Sequence, residues 1–428
     1  MTICEGSATL VAIMKGMNDL FSKELQARRW ITQKALQAFE SYGFSQVQTP
    51  VLEELSLFVR SVGKTTDIVS KEMYALEDRD GTPICMRPEN TAGTVRALLE
   101  HHKLTQEQEC KVFYVGPMFR RERPQKGRLR EFTQVGAEFF GTDAPTADVE
   151  LLSMLHQWLL SLPIGKIKLL INSLGQPQER AEYLKALRTY FEPLRDQLCS
   201  DCQRRLETNT LRLLDCKNKT CSKLADESPS ILDFLQEESK QHFEAVKNGL
   251  TQLGIEFEIT KKLVRGLDYY TRTVFEFIAE SGLGAQNTVA AGGRYDNLVE
   301  ELGGPSVPAI GFAAGIERLV ILAEENGLSL DEKRPDLVLV YADDTGREQI
   351  PQIAHKLRQA NIWVDFEHRK KSVKAQMRRA DRMKAKEVLV LGTREIESDE
   401  GQLKSLDSGE QRFVQVSNLL SAYSPNFV

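Results

Sequence analysis

A basic segment between two alternating segments constrains the fold of this chain more than any other feature. Residues 111–119 and 129–141 alternate apolar and polar side chains as β-strands do. Residues 120–128 join them, and the eleven positions 120–130 hold six Lys or Arg side chains. The pattern predicts an antiparallel hairpin with a long loop whose positive field suits phosphate groups. A loop whose charges only face solvent is the alternative that this segment alone leaves open.

Length and charge set the outer limits of what the chain can be. It has 428 residues, too many for one ordinary core, so we expect two or three domains. Its net charge of −5 is not typical of a nucleic-acid binder, so any polyanion has to meet local basic patches. No apolar run approaches the ~20 residues of a membrane span, and residues 1–18 do not look like a signal peptide. We therefore expect a cytoplasmic protein that binds no membrane.

The spacing of apolar residues predicts an α+β core in the first part of the chain. Residues 20–41 have helical spacing, and residues 44–50 alternate like a strand. A strand pattern returns at residues 271–279, and residues 310–322 predict a strand that runs into a helix. Between these parts, residues 172–264 are rich in Glu, Gln, Lys and Cys and predict a helical insertion.

A linker over residues 326–335 precedes a second pattern. Strand and helix signals then alternate in five segments, which are 336–342, 347–360, 362–366, 372–385 and 387–392. Such alternation predicts a small α/β module with a partly parallel sheet. The second predicted helix has basic side chains around Val373, Met377 and Ala380, which suits either contact with phosphates or a solvated face.

Two short motifs indicate a binding site but also allow structural roles. Glu89 and Thr91 lie at a predicted helix start, where the carboxylate could bind an ammonium group or Thr91 could be the N-cap. The paired Tyr269 and Tyr270 lead into a strand and suit the floor of a pocket, with a core-facing pair as the alternative.

Arg318 lies in the first turn of a predicted apolar helix. An arginine on such an element needs a phosphate or carboxylate partner. It could therefore bind a ligand, or it could form a structural ion pair with Glu317 or Asp296.

The cysteines leave the question of a metal open. The chain has seven, an odd number, which indicates free thiols or metal ligands and not a disulfide framework. Cys199, Cys202, Cys216 and Cys221 follow C-x2-C-x13-C-x4-C, which is close to a zinc pattern. The last spacing is loose, however, and few hydrophobic residues surround it. The sequence does not decide whether these four bind zinc, and no metal is assigned to the predicted site.

In this order the motifs resemble those of the histidyl-tRNA synthetase family over nearly the whole chain. Residues 119–141 are similar to motif 2 of class II synthetases and residues 311–319 to motif 3. The helix and strand within residues 20–50 are similar to motif 1, through which the family dimerises. Residues 265–271 and 291–296 resemble the two histidine-specific signatures, and the first of these is highly specific.

The resemblance implies a class II architecture and its reaction. The fold would be an antiparallel sheet flanked by helices, with core parts at 1–171 and 265–325, a helical insertion at 172–264 and an anticodon-binding α/β domain at 331–428. Histidine would react with ATP to give histidyl-adenylate and pyrophosphate, and histidine would then pass to the terminal adenosine of tRNA(His). Mg²⁺ would accompany ATP, and a second copy of the chain would complete a homodimer.

The resemblance also implies a role for each matched residue at the ATP end of the site. Arg120 would hold the α-phosphate, and Arg128 and Arg318 the outer phosphates. Glu122 would lie beside the adenine. Arg265 would stabilise charge at the α-phosphate from the side opposite Arg120, and Arg265 and Arg120 are the residues expected to be catalytic.

Histidine recognition would use a second set of matched residues. Those at the α-amino group would be Glu89, Thr91 and Gln134, and those around the imidazole would be Glu138, Tyr269, Tyr270 and Tyr295. An imidazole has a donor and an acceptor edge, so a pocket that pairs both rejects substrates that lack them. Asn90 stands where many family members have Gly, which puts only the local turn in doubt.

The main alternative is a synthetase-like regulatory subunit of histidine biosynthesis. Such a paralogue lacks the anticodon module and usually degrades the signature at residues 265–271, and both are intact here. The Tyr pair and Glu138 disfavour a class II synthetase for another amino acid. A class I synthetase would need the strings HIGH and KMSKS, which do not occur.

Overall fold

The computed structural model describes residues 12–423 apart from 62, 64–65, 67, 105–107, 265–266, 268, 285–286 and 332. The chain divides into two compact units, the first ending at Leu330 and the second beginning at Asp331. In the part of the chain that is described, no helix is both long and apolar enough to cross a membrane.

The first unit combines helices with two sheets. Its helices are α1 (Ser22–Ser41), α2 (Leu55–Ser61), α3 (Thr91–Glu100), α4 (Pro145–Leu160), α5 (Pro177–Phe191), α6 (Ser200–Thr208), α7 (Lys219–Glu227), α8 (Glu237–Gln252), α9 (Leu298–Glu301) and α10 (Ile316–Glu325). Its strands are β1 (Ser45–Gln46), β2 (Leu52–Glu54), β3 (Tyr74–Glu77), β4 (Pro83–Met86), β5 (Cys110–Phe119), β6 (Glu131–Phe140), β7 (Ile167–Ser173), β8 (Phe257–Ile259), β9 (Thr271–Ala279), β10 (Thr288–Arg294) and β11 (Ala309–Gly315).

Eight strands form the main sheet, in the order β1-β5-β6-β11-β10-β9-β7-β8. Neighbouring strands are antiparallel except at the two edges, where β1–β5 and β7–β8 are parallel. The predicted hairpin is β5–β6, paired from Cys110 opposite Phe140 to Phe119 opposite Glu131. The predicted strand-to-helix segment is β11 followed by α10. The sheet with its helices confirms the predicted antiparallel α+β core.

One face of this sheet is covered by helices. In α1, Ala27, Ile31, Ala35 and Phe39 recur every fourth residue and all are buried, so the helix packs along one apolar stripe. The Phe39 ring meets Phe113 of β5, Trp158 of α4 and Phe312 of β11 edge-on, with ring centroids 5.4–5.7 Å apart. The helices therefore fix the sheet from one side, and the opposite face carries the cavity described below.

The strand predicted at residues 44–50 is shorter than expected. Only Ser45 and Gln46 pair with β5. The carbonyl oxygens of Thr49 and Pro50 instead accept hydrogen bonds from Nη1 of Arg87, at 2.9 and 3.3 Å. A proline also has no N–H for a sheet, so the strand ends before it. The small sheet β2-β4-β3 that follows was not predicted.

The segment predicted as a helical insertion, residues 172–264, shares elements with the core at both ends. Strands β7 and β8 lie in the main sheet. Helix α8 packs on α4 and places Phe243, Val246 and Leu250 in the main core. Helices α5 to α7 have a small core of their own, which contains Tyr183, Leu187 and Phe191 among others. The part that is built separately is therefore narrower than the predicted range.

The second unit is an α/β module around a five-stranded sheet in the order β13-β12-β14-β15-β16. Its elements are β12 (Leu337–Tyr341), α11 (Asp344–Gln359), β13 (Val364–Phe366), α12 (Val373–Arg382), β14 (Glu387–Leu391), α13 (Thr393–Ser398), β15 (Glu400–Ser405) and β16 (Gln411–Gln415). Strands β13, β12 and β14 are parallel, so the sheet is partly parallel as predicted, and β15 and β16 extend it in antiparallel fashion. In α12, Ala380 is buried while Lys374 and Arg378 are exposed, so the helix presents a basic face.

Candidate active site

A cavity lies on the face of the main sheet that is opposite α1 and α4. Its empty volume, including the open mouth, is about 1180 Å³, the scale of a site for ligands. Ten predicted site residues line it, namely Glu89, Thr91, Arg120, Glu122, Arg128, Gln134, Tyr269, Tyr270, Tyr295 and Arg318. Glu138 lies directly beneath its wall, and Arg265 falls outside the described residues. Strands from both halves of the chain thus bring the predicted residues together.

Glu138 is a fully buried carboxylate on β6. It accepts a hydrogen bond from the Thr91 hydroxyl at 2.8 Å and another from the Tyr295 hydroxyl. Burial raises its pKa to about 8, although these two hydrogen bonds act in the opposite direction. Gly311 of β11 leaves the space for this carboxylate, because a Cβ there would lie 1.6 Å from Glu138 Oε2.

Glu89 and Thr91 form the start of α3 in a way that the sequence did not predict. Thr91 is the first residue of the helix, and it is not the N-cap. The Glu89 carboxylate accepts hydrogen bonds from the N–H groups of Thr91 (2.6 Å) and Ala92 (3.1 Å), which are free at a helix start. Burial raises the pKa of Glu89, and these two bonds oppose the rise. The carboxylate is therefore fixed in place while it lines the cavity.

Asn90, which departs from the family pattern, fits its turn without strain. Its φ of −121° is open to any residue. Its side-chain oxygen accepts hydrogen bonds from Thr49 (2.6 Å) and Arg87 (3.1 Å), and its amide donates to Thr94 at 3.3 Å. The side chain ties the start of α3 to the residues before β2.

Gln134 and Tyr114 complete this end of the cavity. Gln134 lies four residues before Glu138 on β6 and so faces the same side of the sheet. Its Oε1 is buried without a hydrogen-bond partner among the described residues. An unpaired acceptor in a cavity suits a ligand that donates, such as an ammonium group. Tyr114 on β5 was missed by the sequence reasoning; its place opposite Gly136, which leaves room for the ring, is the signal that could have found it.

Three tyrosines, Tyr269, Tyr270 and Tyr295, line one side of the cavity. The ring centroids of Tyr269 and Tyr270 lie 4.7 Å apart, and those of Tyr269 and Tyr295 lie 5.6 Å apart. All three are nearly buried, yet they line the cavity. The Tyr pair therefore lines the cavity and also packs in a hydrophobic core cluster. Burial raises the pKa of Tyr269 and Tyr295 well above the ordinary value, so both hydroxyls keep their protons at neutral pH.

Arginines gather at the other end of the cavity. Arg120 donates from Nε to the Pro88 carbonyl at 2.8 Å and stacks over the Phe132 ring at 5.3 Å. Arg318 donates to the carbonyls of Gly127 (3.0 Å) and Thr288 (2.5 Å). The pKa of Arg318 is lowered by its burial and by the positive charges of Arg128 and Arg120. Three guanidinium groups thus share one region and produce a strong positive field.

In the structure, the basic loop and Arg318 have partners other than those that the structural alternatives named. The basic loop does not only face solvent, because Glu122 is buried and forms an ion pair with Arg128. The loop turns at Gly127, whose carbonyl is bound by Arg318. Arg318 forms no ion pair with Glu317, because that carboxylate accepts from Arg28 Nη1 at 2.8 Å instead.

Asp296, the other predicted partner of Arg318, also has a different partner. It binds Nη1 of Arg294 at 2.9 Å. Arg294 is fully buried and its Nε donates to Asp148 of α4, also fully buried, at 2.8 Å. Asp148 is in turn 3.3 Å from Nε2 of His242 on α8. The predicted signature 291–296 therefore includes a buried ion pair that holds β10 against the helices.

Glu276 and Thr288 also line the cavity and were not predicted. They lie on the adjacent strands β9 and β10, and the Thr288 hydroxyl donates to Glu276 Oε2 at 3.1 Å. The sequence offers no signal for them, because both lie outside the motifs that the sequence analysis identified. They place a carboxylate next to the arginines.

Comparison with known proteins gives consistent matches. A family model described as Histidyl-tRNA synthetase matches residues 16–319, and one described as Anticodon binding domain matches residues 336–424. The chain is 42% identical to the histidine–tRNA ligase of Syntrophotalea carbinolica, over 96% of this chain and 97% of that protein. It is 43% identical to that of Aquifex aeolicus, over 95% and 99%. The crystal structure of apo S. aureus histidyl-tRNA synthetase matches with a TM-score of 0.81 at 35% identity, covering 97% of this chain and all of that one.

Proposed function

Because the chain belongs to the histidyl-tRNA synthetase family and has histidine–tRNA ligase activity, we propose that the cavity over the main sheet is where histidine and ATP react. The proposal rests on the different chemistry of the two ends of this cavity. One end holds Glu89 and Gln134 over the buried Glu138, and the other holds Arg120 and Arg318. Histidine brings an ammonium group and an imidazole, and ATP brings a triphosphate, so each substrate has a complementary end.

In this proposal the acidic end selects histidine. Glu89, Thr91 and Gln134 bind the α-amino group, and the unpaired Gln134 Oε1 accepts one of its hydrogens. Glu138, with Tyr269, Tyr270 and Tyr295, surrounds the imidazole. A side chain without ring nitrogens would leave the Glu138 carboxyl buried and unpaired towards the ligand, at a cost that discriminates strongly.

The basic end would stabilise the reacting phosphate. The histidine carboxylate attacks the α-phosphorus of ATP, a carboxyl–phosphate bond forms, and the bond to the β-phosphate breaks to release pyrophosphate. Negative charge grows on the phosphate oxygens in this step, and fixed arginines stabilise it. We assign Arg120 to the α-phosphate, Arg128 and Arg318 to the outer phosphates and Glu122 to the adenine. The catalytic role of Arg265 is part of the same proposal.

Mg²⁺ would accompany ATP at this end. Its preferred ligands are carboxylate and phosphate oxygens. The Glu276 carboxylate, beside Thr288 in the cavity wall, offers oxygen atoms of the kind that Mg²⁺ binds. The ion would neutralise charge on the phosphates, while the arginines orient them.

Three further parts of the proposal concern binding of tRNA, the assembly of the chain and the place of the reaction. We assign anticodon reading to the module from residue 331 onward, supported by the match at 336–424 and by the basic face of α12. Residues 172–264 act as an insertion over the acceptor end of tRNA(His), and the chain works as a homodimer through α1 and the residues that follow it. We also place the reaction in the cytoplasm.

Histidine-dependent ATP–pyrophosphate exchange on the purified chain tests the proposal. Exchange with histidine and with no other amino acid is expected. Exchange with another amino acid would move the pocket assignment while keeping the fold. A chain that gave no exchange would contradict the proposal and return attention to the regulatory-subunit alternative, which the near-full-length matches to ligases otherwise exclude.

A further inference from the structure

Four cysteines between residues 199 and 221 converge in the helical segment between β7 and α8. The sulfur atoms of Cys199, Cys202, Cys216 and Cys221 all lie within 4.8 Å of one another. The Sγ atoms of Cys199 and Cys216 are 3.8 Å apart, too far for a disulfide bond. None of the four lines the cavity described above. We propose that they bind one zinc ion that holds this segment together.

The distances fit a single ion. Zinc is bound by four thiolates at about 2.3 Å in a tetrahedron, which puts neighbouring sulfur atoms about 3.8 Å apart. The observed separation of Cys199 and Cys216 has this value. The largest separation, below 4.8 Å, leaves room for one ion at the centre and none for a multi-iron cluster. All four positions are filled by protein sulfurs, which is typical of a structural site.

Two helices begin at the cluster. Cys199 is the N-cap of α6 and Cys202 lies in its first turn. Cys221 lies in the first turn of α7, whose N-cap Asn218 accepts hydrogen bonds from the N–H groups of Thr220 and Cys221. The positive end of each helix dipole therefore faces sulfur atoms, next to the position where the ligands and the ion would meet. The N–H of Cys199 also donates to Cys221 Sγ at 3.2 Å, a further bond that fixes a ligand.

The small hydrophobic core of this segment is a reason for it to bind a metal. The separate core around α5 to α7, which includes Tyr183, Leu206 and Ala225, is much smaller than the main core. A core of this size contributes little stability, and small domains often add a metal or disulfides. The ion would join the start of α6 to the start of α7 through the loop at Cys216.

Metal content of the purified full-length chain tests the proposal. Protein prepared without chelators should contain about one zinc per chain, released when a mercurial reagent titrates the thiols. The double variant Cys202→Ser/Cys221→Ser should lose this zinc. The matched control Cys110→Ser, which changes a half-buried cysteine outside the cluster, should keep it.

A second measurement covers the case in which the double variant fails to fold. Cobalt exchanged into the unaltered chain should give thiolate-to-cobalt charge-transfer absorption and tetrahedral ligand-field bands. Protein that carries no metal after expression with added zinc, protein that carries iron instead, or an intact mass lowered by disulfide formation would each overturn the proposal. The zinc site does not depend on the proposed function, because histidine-dependent exchange is a separate readout.

Discussion

Glu138 shows how one buried side chain can carry specificity. Its carboxyl is shielded from water by Tyr295 and Thr91, and it owes its space to a glycine on the next strand. A polar group in such a place interacts strongly with whatever the cavity admits, because no solvent competes. Its consequences for binding, for pH and for packing can be measured separately.

Replacing Glu138 by Gln tests binding. We expect the KM for histidine in pyrophosphate exchange to rise by about 10- to 100-fold, the equivalent of losing one hydrogen bond to a buried polar group. The KM for ATP should change little, because the arginine end is untouched. The same change at the exposed Glu256 is the matched control. Equal rises in both KM values would contradict the assignment of Glu138 to the imidazole.

The same residue sets a pH dependence of stability. Its pKa is raised from the ordinary value of 4.5 to about 8, so between these values the folded chain holds a proton that the unfolded chain has released. The free energy of unfolding therefore falls as the pH rises through this window, by up to ~1.4 kcal/mol per pH unit. Glu138→Gln removes this contribution, so urea unfolding should show the variant gaining stability relative to the unaltered chain from about pH 5 to about pH 8. A difference that stays constant with pH would argue that Glu138 is ionised throughout.

Gly311→Ala tests the packing over Glu138. The new methyl group would have to displace the carboxylate, since a Cβ would lie 1.6 Å from Oε2 and 2.9 Å from the Ala137 carbonyl. We expect a loss of roughly 1–3 kcal/mol in the free energy of unfolding, together with loss of histidine-dependent exchange. Gly315→Ala, on the same strand, meets only Arg318 Cδ at 4.0 Å and should unfold like the unaltered chain. If Gly311→Ala and Gly315→Ala had equal free energies of unfolding, the packing around Glu138 would be shown to accommodate a methyl group.

At the scale of the elements, one ion pair joins helix α1 to helix α10, which are far apart in the sequence. Arg28 of α1 donates to Glu317 of α10 at 2.8 Å, and the same carboxylate oxygen accepts from the N–H of Thr133 on β6 at 2.8 Å. Glu317 is nearly buried. Burial raises its pKa, with the charge of Arg28 acting in the opposite direction.

Arg28→Met should therefore leave a buried carboxylate with one partner fewer. We expect a loss of roughly 1–3 kcal/mol in the free energy of unfolding by denaturant. Its neighbour Arg29 is exposed on the same helix, so Arg29→Met is a matched control and should change stability by less than about 0.5 kcal/mol. If both variants unfold alike, the ion pair does not hold α1 in place.

Elements with one buried face were predictable from sequence, and elements fixed by side-chain hydrogen bonds were not. Helix α1 and the hairpin β5–β6 follow their apolar periodicity closely. Strand β16 has no buried residue, so no alternation marks it. The cap of α3 was missed because Glu89 reaches the helix N–H groups from outside the usual N-cap position. In the site, the motif residues could be predicted, whereas Glu276 belongs to no motif and only its position in the sheet brings it to the cavity.

The whole molecule separates into parts with their own cores. The first unit contains the main sheet and its cavity, and the second is built around Leu337, Leu339 and Leu389. The cavity residues all lie in the first unit. Amino-acid activation should therefore be separable from recognition of tRNA.

A chain that ends at Leu330 tests this separation. We expect histidine-dependent pyrophosphate exchange within about threefold of the full chain, because no cavity residue is removed. Charging of tRNA(His) should fall by roughly 100-fold or more, since a second linked contact commonly adds this much to binding. The full-length chain is the control in both assays. Undiminished charging by the shortened chain would refute the role of the second unit.

The order of strands in the main sheet also determines how long a newly made strand waits for its partner during synthesis. Strand β6 ends at Phe140, yet its neighbour β11 begins only at Ala309, and the partner of Asp148 is Arg294. A ribosome adds about 5–20 residues per second, so β6 and Asp148 wait on the order of ten seconds or more for these partners. During that interval the nascent chain exposes an open sheet edge and an unneutralised carboxylate. An unpaired strand edge of this kind can pair with the wrong strand, which makes the incomplete sheet the part of the nascent chain most exposed to aggregation.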